Sequence, residues 1–151
     1  VGDSRAYLVR KDKIYPITKD QTLVNQLIDA GLIKPEEAET HALKNVILEG
    51  LGTQNEVYPD GVRLIPQSDD ILLLCSDGLS DKLTDVDLLR VVLNNRDNLK
   101  NACQVLIQEA NERGGEDNIT VILAKLSGNE LMEPTDDSVV IHPLKFDTRP
   151  N

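Results

Sequence analysis

The apolar residues of the chain change period several times, and each change marks an element. Ala6 to Val9 and Ile14 to Ile17 are short runs of strand formers on either side of the polar turn Arg10-Lys11-Asp12-Lys13, a pattern that predicts a hairpin. From Thr22 the spacing becomes helical: Val24, Leu27 and Ile28 fall at i, i+3 and i+4, and Gly31 is placed to end the helix. Pro35 opens a second short helix, with Glu36, Glu37 and Glu39 at the positive end of its dipole. The stretch from Asn45 to Asn55 has no single reading, and Val57 to Ile65 reads as a strand interrupted by Pro59-Asp60-Gly61.

Ile71 to Cys75 is apolar without alternation, which predicts a strand buried on both faces. Thr84-Asp85-Val86-Asp87 resembles a capping box, and Leu89, Val92 and Leu93 form the apolar side of the helix it would start. Leu99, Ala102, Cys103, Leu106, Ile107 and Ala110 repeat at helical spacing until Gly114-Gly115 stops them. Ile119 to Leu126 reads as another interior strand. Periodicity is lost from Ser127, so residues 127–151, with Pro134, Pro143 and Pro150, read as a tail or linker.

A chain of 151 residues suits one domain with a real core. Its 26 acidic and 16 basic residues give a net charge of −10, which disfavours a nucleic-acid partner and an anionic membrane surface. Cys75 and Cys103 read as small core residues of a reducing compartment, and no apolar stretch reaches the roughly 20 residues that span a bilayer. These features point to a cytoplasmic protein. Because Val1 runs straight into strand-like sequence without a cap or turn, the chain is expected to be a fragment cut from a longer one.

Two acids stand out against this frame. Asp77 follows the strand Leu72-Leu73-Leu74-Cys75, and Asp117 precedes the strand that starts at Ile119. A carboxylate where a buried strand meets a loop is held by rigid backbone yet reaches solvent, the setting a hard cation requires. Alone, Asp77-Gly78 is a common turn dipeptide, and Asp117-Asn118 behind two glycines is a capped loop. Only the combination is specific.

In order along the chain, Val1-Gly2-Asp3-Ser4-Arg5, Leu73-Leu74-Cys75-Ser76-Asp77-Gly78-Leu79 and Gly114-Gly115-Glu116-Asp117-Asn118-Ile119-Thr120-Val121 resemble the motifs of the PPM family. These are the type 2C metal-dependent serine/threonine protein phosphatases, and the wording is similar to the bacterial branch. The resemblance covers residues 1–126, with a flap at about 20–52. It implies an α+β fold, an α/β/β/α four-layer sandwich of two antiparallel sheets flanked by helices, of which this chain would hold the C-terminal part. It also implies that Asp77 and Asp117 bind one metal of a two-ion Mn²⁺ or Mg²⁺ centre, with Asp3 at a third, weaker site. Metal-activated water would then hydrolyse phosphoserine or phosphothreonine in a protein substrate.

Other residues are read more plainly. Ser4 is expected to hydrogen-bond locally, and Arg5 to pair with the acidic centre. His41 and His142 stand outside any ligand-spaced cluster. Gln21 follows Asp20 where relatives often carry His, a departure that bears on flap contacts. Glu116 adds negative charge beside Asp117, which could raise that carboxylate's pKa or alter metal affinity, or else it is a solvated loop acid.

The resemblance places the bridging aspartate and the remaining catalytic groups in an N-terminal half that cannot be located here. The fragment alone is therefore expected to be inactive, with apolar sheet faces left for that half, or for a second copy, to cover. The alternative reading is a non-catalytic phosphatase-like binding or regulatory module. A Ca²⁺ loop of the Asp-x-Asp-x-Asp-Gly type is absent.

Overall fold

The computed structural model describes residues 1–38, 40–44, 46–53, 55–133 and 139–144. Glu39, Asn45, Pro134 and Pro150 lie outside the described residues. In chain order the elements are β1 (Arg5–Arg10), β2 (Lys13–Pro16), α1 (Leu23–Asp29), α2 (Pro35–Ala38), β3 (Gly61–Arg63), β4 (Ile71–Cys75), α3 (Asp77–Ser80), α4 (Asp85–Asn94), α5 (Leu99–Glu112), β5 (Val121–Lys125) and β6 (His142–Leu144). The chain divides into two compact units. Among the described residues, one holds Ser4–Thr18 and Val62–His142; the other holds Val1–Asp3, Lys19–Gly61 and Pro143 with Leu144.

In the first unit the hairpin β1–β2 forms as its strand formers predict, and β1, β4 and β5 extend it into an antiparallel sheet of order β2-β1-β4-β5. Register places Tyr7 beside Leu73 and Leu73 beside Leu123, so these side chains share a face. That face carries the core. Tyr7, Val9, Ile71, Leu73 and Cys75 pack with buried Leu88, Val91 and Val92 of α4 and Ala102, Leu106 and Ala110 of α5. Cys103, one position from that stripe, is only half-buried.

The opposite face is closed at one end and open at the other. Leu8 is buried, and Arg10 forms a bidentate ion pair with Asp70, Nε to Oδ1 at 2.9 Å and Nη2 to Oδ2 at 2.8 Å. Arg10 also donates to the carbonyl of Ile65 at 3.1 Å, and Asp70 accepts from the Gln67 amide at 2.8 Å. Removing either partner would leave a buried charge uncompensated, at a cost of about 3–5 kcal/mol. Further along the same face, Ala6 lies beside Leu74 and Leu74 beside Ile122, where Leu74 is 44% and Ile122 57% exposed. Burial of β4 on both faces is therefore incomplete. β5 lies at the edge of this sheet rather than in its interior.

Two helices obey their sequence signals closely. Thr84 caps α4 by accepting from the Asp87 amide, while Asp87 accepts from the Thr84 amide at 3.1 Å, a complete capping box. Asn98, which the periodicity did not single out, caps α5 by accepting from the Asn101 amide at 3.0 Å. Of the expected strand from Val57 to Ile65 only Gly61–Arg63 is extended into a ladder, since Pro59 has no amide to donate. Within residues 127–151, β6 neighbours β3 in a separate two-stranded sheet, and the Met132 carbonyl accepts from the Ser68 amide at 2.8 Å.

In the second unit, Thr22 caps α1 and pairs as an isolated bridge with Ile47, and α2 begins at Pro35 as expected. Among the described residues, no helix is long and apolar enough to cross a membrane.

Candidate functional site

Strand β4 ends at Cys75 and delivers Ser76 and Asp77 to its rim. The Ser76 amide donates to the Thr120 carbonyl at 3.1 Å, and its hydroxyl donates to the Asn118 carbonyl at 2.9 Å and accepts from the Thr120 amide at 3.0 Å. One short side chain thus laces two loops more than 40 positions apart. Sequence reasoning did not single out Ser76, because nothing local announces a bond over such a separation.

Gly78 explains the Asp-Gly dipeptide. It sits inside α3, buried, and a Cβ there would lie 2.5 Å from the Asn118 carbonyl oxygen and 3.5 Å from the carbonyl carbon of Asp117. The dipeptide is therefore not a turn signal here. The glycine lets the Asp77 and Asp117 segments come into backbone contact.

Asp77 is half-buried and accepts from the Gly78 amide at 2.9 Å, whereas Asp117 is exposed and accepts from the Asn118 amide at 2.6 Å. Each carboxylate keeps acceptor capacity beyond that one local bond. Two carboxylates on apposed loops are hard oxygen donors, and they fit a Mg²⁺- or Mn²⁺-type ion that completes its shell largely with water. Among the described residues, no group of three or more His, Cys, Asp or Glu side chains is gathered to hold an ion by itself. The fit is that of one side of a centre.

Glu116 does not stand as bare charge beside Asp117. Its carboxylate is ion-paired with Lys82, and that hydrogen bond holds its pKa below the usual range. A Cβ at Gly114, whose φ is +127°, would meet the Glu116 carboxylate, so the glycine leaves room for the side chain to fold back. Arg113, the residue before it, donates to the Lys82 carbonyl at 2.8 Å and to Asp87 Oδ2 at 2.7 Å.

Asp3 belongs to the other unit, where it is half-buried. Its neighbour Gly2 donates to Gln21 Oε1 at 3.2 Å and accepts from the Gln21 amide at 2.8 Å. Gln21 Nε2 in turn donates to Asp60 Oδ2 at 2.7 Å. The neutral amide at position 21 is thus a linker between the Gly2-Asp3 turn and Asp60. His41 accepts from the Leu43 amide at 3.1 Å, and His142 is exposed in β6; neither joins a group of candidate ligands among the described residues.

Residues 55–119 match the family described as Protein phosphatase 2C. Protein phosphatase PhpP of Streptococcus pneumoniae is 39% identical over 127 residues, 84% of this chain and 51% of PhpP. The Mycobacterium tuberculosis serine/threonine phosphatase PstP/Ppp superposes with a TM-score of 0.74 at 39% identity, over 85% of this chain and 53% of that one. A PstP catalytic domain in complex with two manganese ions gives 0.61 at 33% identity, over 96% and 52%. The first is described as a protein phosphatase and the other two as serine/threonine phosphatases, all bacterial. The chain is similar to these phosphatases over most of its own length and spans about half the length of the curated relatives it matches.

Proposed function

We propose that the chain is the C-terminal part of a metal-dependent phosphatase that hydrolyses phosphoserine or phosphothreonine in proteins, with Asp77 and Asp117 as ligands to a divalent cation. The observation that carries this reading is the backbone contact between the two aspartate segments, made at Gly78 and laced by Ser76. When bound, paired Mn²⁺ or Mg²⁺ ions polarise a phosphoryl group and make a water nucleophilic near neutral pH. The chain's own contribution is positional. Asp77 and Asp117 present oxygens from a strand rim and a glycine-flanked loop, and the Ser76 lacing keeps those two segments in register. Asp3 is a candidate ligand for a further, weaker ion, its turn tied to Gln21.

The remaining ligands and catalytic groups would come from the other half of the domain. The partly exposed Leu74 and Ile122 offer that half an apolar face to cover, and a second copy of the chain is the competing occupant. The free cysteines are consistent with a cytoplasmic site of action.

The test is phosphate release from a phosphothreonine peptide by the complete polypeptide that contains this chain. Turnover is expected with Mn²⁺ and lost on chelation. Binding of the peptide without metal-dependent release would instead identify a non-catalytic recognition module.

A further inference from the structure

We propose that Arg113 and Lys82 are positioning residues for the cation site, which they serve by fixing the Asp117 loop to the segment that follows Asp77. The proposal rests on the assignment of Asp77 and Asp117 as ligands.

The Ser76 lacing holds Asp117 only from its C-terminal side, through Asn118 and Thr120. On the N-terminal side lie Gly114 and Gly115, both at positive φ, where glycine moves most freely. Left alone, such a pair would let Asp117 sample many positions, and ordering it costs conformational entropy. Arg113 fixes the end of α5 from which the glycine pair starts, and Lys82 restrains the loop beyond the pair. Arg113 reaches both the Lys82 carbonyl and the Asp87 carboxylate through Nη1, and Lys82 takes Glu116, the residue next to Asp117.

Each end of the contact is itself anchored. Asp87 accepts from the Thr84 amide at 3.1 Å and the Thr84 hydroxyl at 2.9 Å, so Arg113 is docked on the capped start of α4. Lys82 lies just past Asp81, the C-cap of α3, five residues after Asp77. The segment from Asp77 to Asp87 and the segment from Arg113 to Asn118 are thereby tied at both of their ends.

Charge alone makes the opposite prediction, which gives the proposal its test. Lys82 and Arg113 are positive groups near a cation site, so by electrostatics their removal should tighten Mn²⁺ binding. If they act by position, removal weakens it. Mn²⁺ affinity is measured by electron paramagnetic resonance of the free ion on the complete polypeptide, in the wild type, Asp117→Asn, Arg113→Gln, Arg113→Lys and Lys82→Met. Loss of a supporting group around a metal ligand typically weakens affinity about 10–100-fold. Arg113→Gln is expected at about the lower end of that range, and Lys82→Met, whose partner is largely exposed, at a smaller loss. Arg113→Lys, which keeps a donor for Asp87, is expected to restore most of the affinity.

Unchanged or tighter binding in Arg113→Gln and Lys82→Met, with Asp117→Asn weakened, overturns the positioning role and leaves the ligand assignment standing. Unchanged binding in Asp117→Asn overturns the ligand assignment itself. Circular dichroism accompanies each measurement; should Arg113→Gln fail to fold, the sign of the Lys82→Met change decides.

Discussion

At Gly78 a single added carbon would sit 2.5 Å from the Asn118 carbonyl oxygen, and that oxygen is backbone, fixed by its bond from Ser76. Relief would require the two aspartate segments to part. Gly78→Ala is therefore expected to cost about 1–3 kcal/mol, read as a lowered urea midpoint, as overpacking of a close contact does. It should also lower Mn²⁺ affinity, because the displaced loop carries Asp117. A substitution at exposed Val86 in α4, made as a control, should leave both unchanged. Glu116 teaches the complementary lesson. An acid beside a candidate ligand looked like added negative charge, yet its nearest partner is Lys82, so its charge is largely matched before any cation arrives.

Among the elements, the start of α4 and the end of α5 depend on one carboxylate. The Arg113 guanidinium, followed by the Thr84 hydroxyl and amide, holds the Asp87 carboxyl far below the usual carboxylate range. Because the folded-state pKa is depressed, the stabilisation is fully present above the unfolded value of about 4 and is lost as pH falls from there towards the folded value. The urea midpoint of the wild type should exceed that of Asp87→Asn by a constant margin from neutral pH down to about 4 and converge with it below. A margin independent of pH throughout would show that Asp87 acts only as a neutral cap. This capping box was legible in Thr84-Asp85-Val86-Asp87 because both partners lie within one turn. The hairpin, α1, α5 and β4 were legible for the same reason, their signals being local periodicity. The edge position of β5, the buried Arg10–Asp70 pair and the Ser76 lacing were not, since each depends on a partner distant in sequence. Of the candidate site, the ordered motifs pointed to the two aspartates but not to the bonds that hold their segments together.

For the molecule as a whole, one sheet face is sealed by α4 and α5 while the other leaves Leu74 and Ile122 partly in solvent. The matched part of the chain spans 51% of PhpP, which fits a domain whose other half covers that face and supplies the remaining ligands. The central claim is that this half brings Asp77 and Asp117 to a shared cation, and that phosphate release depends on both. It is tested most directly by single-turnover release of phosphate from a phosphothreonine peptide, at saturating Mn²⁺, by the complete polypeptide and its Asp77→Asn and Asp117→Asn variants. Both isosteric changes keep the local backbone bonds within reach of an amide oxygen and remove only charge. The account predicts that release falls to background in each variant while folding is retained; wild-type release in either would contradict it.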